Sequence, residues 1–200
     1  YARSLSFLIC NSIVVLGPVI WTIMASFKKG NNLFSSTFSG IEFTFEHYVT
    51  LFTDTPYMQW YLNTFILATA NMLISLVVVT MTAYVFSRYR FRGKRNTLMS
   101  ILVLQMFPAF LSMTAIYILL SKANLIDTYT GLLLVYVTGS LPFMTWLVKG
   151  YFDAIPTSLD EAAKIDGAGH LTIFIQIILP LAKPILVFVG LVSFTGPWMD

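Results

Sequence analysis

The chain has 200 residues, of which 57% are hydrophobic and 10% charged, against roughly 45–50% and about 25% in ordinary soluble domains. So few charges cannot cover the surface of a soluble fold, which excludes a water-soluble enzyme or a free nucleic-acid-binding module. The net charge of +3 sits on residues between apolar runs, where positive charge sets membrane orientation and needs no nucleic-acid partner.

Five stretches reach or approach the roughly 20 apolar residues that cross a bilayer. They cover about 4–26, 61–86, 98–120, 131–148 and 184–200, and no Asp, Glu, Lys, Arg or His occurs in them before the terminal Asp200. Each is continuously apolar, without the period of two of a barrel strand, so the spans are helices. The fold class is an all-α polytopic membrane protein, with one transmembrane domain over 1–200. The first run is too long for a signal peptide and no small-residue cleavage site follows it. Cys10 lies within that run as a packing residue, and a lone cysteine gives neither an internal disulfide nor a cysteine-based metal site. Pro18, Pro108, Pro142 and Pro197 fall inside the runs. Each removes a backbone donor and favours a bend, tolerated where neighbouring helices satisfy the freed carbonyls. At Pro108 and Pro142 a bend beside a cavity and ordinary bundle geometry both stay open.

After the first span, aromatics mix with Glu42, Glu46, His47 and Asp54, and a helix over 45–51 lying at the membrane interface is predicted. His47 reads as a solvated loop histidine. Trp60 and Tyr61 open the second span where an aromatic belt belongs. Of the 12 Lys and Arg residues, nine lie in three regions: Arg3, the run Arg88, Arg90, Arg92, Lys94 and Arg95, and the group Lys149, Lys164 and Lys183. Lys28, Lys29 and Lys122 occupy the other two loops. The positive-inside rule therefore puts the N-terminus, 87–96 and 149–183 in the cytoplasm. Residues 27–60 face out, and 121–130 form a short outer turn.

The connection 149–183 is unusually long. Ser158 and Glu161 have capping-box spacing, and Pro156 stops the helix from extending backwards. Leu159, Ala162, Ala163 and Asp166 recur at intervals of three and four and share a face. Gly167, free to adopt the left-handed conformation, ends a helix of about two turns. A helix that short is marginal alone and needs something to dock against. Ala162, Ala163, Gly167, Ala168 and Gly169 permit close approach by another surface. The apolar stretch 171–179 is too short to span, so it reads as an interfacial helix leading into the fifth span. From spacing alone, a docking helix and a surface or re-entrant helix that merely tidies a loop are both open.

Uncharged polar groups within the spans are Asn71, Ser75, Gln105, Thr138 and Ser140. With the aromatics Phe107, Tyr136 and Trp146 they suit a polyhydroxylated sugar. Hydrogen bonding between helices is the alternative for such residues. Asn71, Gln105, Tyr136 and Ser140 are the substrate-path candidates. No GxxxxGK[ST] phosphate loop is present, since Gly93-Lys94 lacks the upstream glycine and the following Ser or Thr. Nor do the spans carry the ionisable groups that proton-coupled transporters use. An external motor is the economical inference. A secondary transporter or channel for a neutral polar solute, working without an ATPase, is the competing one. A membrane-embedded enzyme is disfavoured, because His47 and His170 fall on opposite sides of the membrane and no catalytic constellation or metal site forms.

The run Glu161-Ala162-Ala163-Lys164-Ile165-Asp166-Gly167-Ala168, followed by Phe174, Ile178-Leu179-Pro180 and Pro184, resembles the "EAA" signature of binding-protein-dependent ABC-transporter permeases. Asn63-Thr64, the segment from Tyr84 to Arg92, and Gly139-Ser140-Leu141-Pro142-Phe143 resemble its carbohydrate-uptake subfamily. Gly150-Tyr151-Phe152-Asp153-Ala154-Ile155-Pro156 and Asp166-Gly167-Ala168-Gly169-His170 are most similar to the maltose/maltodextrin branch. The resemblance implies a type I importer bundle in a bacterial cell membrane. It also implies that the chain is part of a longer protein, lacking the rest of the fifth span, an outer loop and a sixth span. Residues 159–167 would be the coupling helix, seated in a groove of a cytoplasmic ATPase subunit, with Ser158, Leu159, Glu161, Ala162, Ala163, Asp166, Gly167 and Ala168 at the contact. Glu161 could pair with a basic residue there as well as cap its helix. The implied partners are a second permease subunit, two ATPase subunits holding ATP and Mg, an extracellular solute-binding protein and an oligosaccharide substrate. No cofactor is implied in this chain.

Overall fold

The computed structural model describes residues 2–29, 43–106 and 109–199, and the side chains of all of these except 2–10, 109 and 110. The side chain of Cys10, together with Glu42, Phe107 and Pro108, lies outside the described residues. The described backbone is helical, with one isolated antiparallel bridge, Lys28 to Phe43. It divides into two compact units, 1–61 and 62–200.

The first unit holds α1 (Ala2–Ser26), α2 (Glu46–Thr53) and the start of α3. Pro18 lies inside α1 without ending it. The bridge is fixed by Thr44 N–H donating to Phe27 O at 2.8 Å and by His47 Nε2 at 2.9 Å from Lys28 O. Phe27 meets Phe45 edge to face and Tyr48 at a tilt, with ring centroids 5.5 and 5.4 Å apart. His47 is therefore tied to the bridge and not merely solvated. The interfacial helix predicted over 45–51 starts at Glu46 and runs to Thr53.

The second unit is built on α3 (Tyr57–Arg88), α4 (Lys94–Gln105), α5 (Ala109–Lys122), α6 (Tyr129–Ala154), α7 (Ser158–Ile165), α8 (His170–Ile173), a wide-turn π segment Phe174–Ile178, α9 (Leu179–Leu181) and α10 (Lys183–Thr195), which closes with a 3-10 turn, Gly196–Trp198. By length and composition α3 and α6 can each cross a membrane alone, and α8 to α10 with their flanking turns form a third, broken candidate. The stretch expected as a single span over 98–120 holds two described helices, α4 and α5, of 12 and 14 residues, with 107–108 between them outside the described residues.

The second unit's core has a simple origin in α3. Asn71, Ser75, Val79 and Ala83 recur every fourth residue and are all buried, forming one stripe on a helix otherwise apolar all round. Val79, Ala83 and Tyr84 pack with Met144, Val148 and Phe152 of α6 and with Ile173, Phe174 and Ile178. The stretch 171–179 is thus helical as predicted, but it buries one face in the core and does not simply lie at an interface. Leu171 and Ile175 remain exposed on its other side. Past Leu181 the helix axis turns by 82° into α10, because the Pro184 ring cannot continue the α8–α9 ladder. Gly190 lets α10 approach α3: a Cβ there would lie 3.6 Å from Leu76 and 3.8 Å from Met72. At the other end of α6, Thr128 Oγ1 caps the helix by accepting from Gly131 N–H at 3.0 Å. Pro142 lies within α6 and does not end it.

Candidate functional site

The segment after α6 folds into a corner. Ile155 leaves α6 in extended conformation, Pro156 and Thr157 turn the chain, and α7 begins at Ser158. The predicted capping box does not form. Thr157 occupies the N-cap position, makes no side-chain cap bond, and its carbonyl accepts from Glu161 N–H at 3.0 Å. The start thus lies one residue earlier than the Ser158 cap assumed. Glu161 sits a residue too deep to reach back, and Ser158 is an ordinary helical residue.

The end of α7 follows the glycine. Gly167 has φ +84°. Gly167 N–H donates to Lys164 O at 3.0 Å and Ala168 N–H to Ala163 O at 2.9 Å, the paired bonds of a Schellman motif. No atom outside its neighbours approaches a Cβ built on Gly167, so what requires glycine is the backbone angle and not space.

The two faces of α7 differ from the predicted grouping. Leu159, Glu161, Ala162, Lys164, Ile165 and Asp166 are exposed, with Ile165 at 85% and Leu159 at 41%. Ala163 turns inward, and it and Ala168 pack against the core. The inward side chain that the sequence did not single out is Asp160, 6% exposed. Its Oδ2 lies 2.7 Å from Arg88 Nε at the end of α3. Arg88 also donates from Nη1 to Phe152 O and from Nη2 to Ile155 O, both at 3.0 Å. One guanidinium thereby binds the last carbonyls of α6 and the first-turn carboxylate of α7, the negative end of one helix dipole and the positive end of another. Ser87 Oγ donates to Asp153 Oδ1 at 2.7 Å, and Lys149 pairs with Asp153 at 2.5 Å. Tyr84 OH donates to His170 O at 3.3 Å. A cleft of about 240 Å³ borders Arg88, Asp160, Glu161, Lys164 and His170.

Sequence reading missed Arg88 and Asp160 because each had a sufficient local reason: a cation after an apolar span, and an acid in a first helical turn. No spacing rule joins positions so far apart.

The polar candidates in the spans are not gathered into one site. Asn71 is buried and donates from Nδ2 to Ser193 O of α10 at 2.6 Å, with Ser75 Oγ donating to Asn71 Oδ1 at 3.3 Å. Asn71 joins α3 to α10, as the alternative reading of these residues had it, while Ser75 bonds within α3 and supports the Asn71 amide. Gln105 is exposed at the end of α4, Tyr136 is half-buried in α6, and Ser140 Oγ donates back to Val137 O at 3.1 Å. Thr138 likewise bonds back to Leu134 O at 2.6 Å, and Trp146 Nε1 donates to Leu98 O at 3.3 Å, tying α6 to α4. Among the described residues no group of three His, Cys, Asp or Glu side chains converges to hold a metal.

Residues 79–200 match the family described as binding-protein-dependent transport system inner membrane component. The maltodextrin transport system permease protein MdxG of Bacillus subtilis (strain 168) is 43% identical over 195 residues, covering 97% of this chain and 70% of that protein. The galactooligosaccharides transport system permease protein GanQ of the same strain is 43% identical, covering 94% and 68%. The maltodextrin transport system permease protein MalD of Streptococcus pneumoniae is 40% identical, covering 97% and 69%. In structure, the chain matches a crystal structure of a bacterial ABC transporter involved in the import of the acidic polysaccharide alginate. The TM-score is 0.86 and the identity 26%, over 98% of this chain and 70% of that one.

Proposed function

The chain belongs to the family of binding-protein-dependent transport system inner membrane components, and from that premise we propose that it passes a maltodextrin-like oligosaccharide across a bacterial cell membrane. As a permease subunit of an ABC importer it is a transport component and not an enzyme. Its partners are a second permease, two cytoplasmic ATPase subunits that hold ATP and Mg, and an extracellular solute-binding protein. The N-terminus and 149–183 lie in the cytoplasm, on the strength of the Lys and Arg distribution. The sugar assignment rests on the likeness to maltodextrin permeases of 40–43% identity over nearly the whole chain.

The observation that carries the mechanism is α7. It presents Leu159, Ala162 and Ile165 to solvent while Asp160 and Ala163 hold its other face to the body of the unit. We read Ser158, Leu159, Glu161, Ala162, Asp166 and Gly167 as the ATPase-docking surface, with Ala163 and Ala168 seating the helix from behind. Of the substrate-path candidates, Gln105, Tyr136 and Ser140 keep that role. Asn71 leaves it, because its amide is engaged between helices.

Two measurements test this. Single cysteines at Leu159 and Ala162, in a Cys10→Ser background, crosslink to the ATPase subunit in the assembled importer. Cells carrying the gene take up labelled maltodextrin and lose that uptake on ATP depletion. Absence of the crosslinks, or sugar crossing liposomes that hold this chain alone, would favour the secondary-transporter or channel reading.

A further inference from the structure

We propose that Arg88 and Asp160 are positioning residues that make α7 move with α3 and α6 as one body during the transport cycle. The proposal rests on α7 being the ATPase-docking helix and names what that helix is fastened to.

The backbone alone is a poor transmission. Three residues, Ile155 to Thr157, join α6 to α7, and α7 has only eight residues, too few to be stable without tertiary contacts. A push on its outer face could swing it about the Pro156 turn. Arg88 closes that hinge. Its planar fork meets Phe152 O and Ile155 O on the near side of the turn and Asp160 on the far side. Guanidinium geometry fixes the angle between the two carbonyls, which a lysine point charge would not, and the close ion pair holds the Asp160 carboxylate beside them.

Burial sharpens the constraint. The two side chains are only 8% and 9% exposed, so separating them would leave a largely desolvated charge without its partner. The pair is not built for stability alone. The Nε contact is close in distance but not aligned as a hydrogen bond, and Asp160 Oδ1 has no partner among the described residues. A buried ion pair with an unsatisfied oxygen is a weak stabiliser. What it supplies is a fixed relation among three helices. Ser87 to Asp153 and Tyr84 to His170 extend the same fastening to either side. The end of α3 thus holds the end of α6, the start of α7 and the start of α8.

The test uses the complete importer with its partner subunits in proteoliposomes, comparing Asp160→Asn, Asp160→Glu and Arg88→Lys with the unsubstituted chain. Spin labels at Lys164 and Met81, both exposed and neither on the docking face, in a Cys10→Ser background report the separation of α7 from α3. The expected result has three parts. In the unsubstituted chain the separation is the same in nucleotide-free and ATP-trapped states. In Asp160→Asn the distribution broadens, ATPase activity persists, and sugar moved per ATP falls about tenfold, within the range of one coupling free energy. Asp160→Glu, whose additional methylene the adjoining cleft can take, recovers most of that ratio, whereas Arg88→Lys, which keeps the charge but not the fork, does not.

A change of separation between the two states in the unsubstituted chain overturns the proposal. So does an Asp160→Asn importer that keeps both the narrow distribution and the normal ratio. If Asp160→Asn does not assemble, the separation in the unsubstituted chain and the Arg88→Lys ratio decide. Failure of the docking reading would show differently, as missing crosslinks from Leu159 to the ATPase.

Discussion

Pro197 has no N–H, so the carbonyl four residues before it, Ser193 O, lacks the donor a regular helix would provide. Asn71 of α3 fills that gap, with Nδ2 2.6 Å from Ser193 O in a site where Asn71 is 3% exposed. Replacing Asn71 with Leu keeps the volume and removes the donor. Hydrogen bonds between membrane helices average about 0.6 kcal/mol and reach about 1.7, while a buried acceptor left unpaired costs about 1–3 kcal/mol. The short bond and the missing helical donor place Asn71→Leu near the top of the first range, about 1.5 kcal/mol. Pro197→Ala should relieve that cost. Gly196 N–H already reaches Val192 O, so an N–H at position 197 is placed to reach Ser193 O. In that background Asn71→Leu should cost about 0.5 kcal/mol, a coupling of about 1 kcal/mol within the usual range for residues in contact. Reversible SDS unfolding of the four proteins in mixed micelles, followed by tryptophan fluorescence, measures the cycle. Equal costs in the two backgrounds would refute the reasoning that Asn71 compensates for the proline.

Gly131→Ala would set a Cβ onto the Leu125 carbonyl oxygen, and since that atom is backbone the turn must open. A loss of about 2–3 kcal/mol, the scale of overpacking, should appear as a lower melting temperature of the detergent-purified protein. Gly167→Pro cannot reach φ +84° and loses the N–H bonded to Lys164 O. In proteoliposomes ATP hydrolysis should continue while uptake is lost, and normal uptake would reject the docking role of α7. Ile165→Ser removes the most exposed apolar side chain of α7, so less ATPase subunit should co-purify with the permease, by about tenfold for about 1.4 kcal/mol of lost contact. Unchanged retention would place the interface elsewhere.

Much of the helix framework was legible because lipid imposes one rule on every span: continuous apolar sequence with internally satisfied backbone. That rule located α3 and α6. At 98–120 it marked α4 and α5, with 107–108 between them outside the described residues. Within α7, glycine chemistry fixed the end at Gly167, because only the backbone angle mattered there. The start was misread. Thr157 and Ser158 are both competent caps, and the choice between them is made by Asp160 turning inward to a partner that local sequence does not reveal. The same limit applied to Asn71. Its chemistry suits a sugar or a neighbouring carbonyl equally well, and only the position of Ser193 on α10 decides.

The division of chemistry between the two faces of α7 bears on how docking and coupling are kept apart. Its charged anchor, Asp160, points to a permanent neighbour, so the desolvation of that carboxylate occurs once, on folding. The exposed face centres on Leu159, Ala162 and Ile165, for which covering by a partner is favourable without any rearrangement of charge. Burying a Leu or Ile side chain is worth about 1.5–3 kcal/mol, discounted here because Leu159 is already more than half covered. The pair then supplies about 2–4 kcal/mol toward docking, more than the roughly 1–3 kcal/mol typical of coupling between sites. A docked α7 would therefore be carried along by its partner more readily than it would be pulled free. Where that motion goes is then set by the stiffest connection behind the helix, and the three acceptors held by Arg88 direct it into α3 and α6 together.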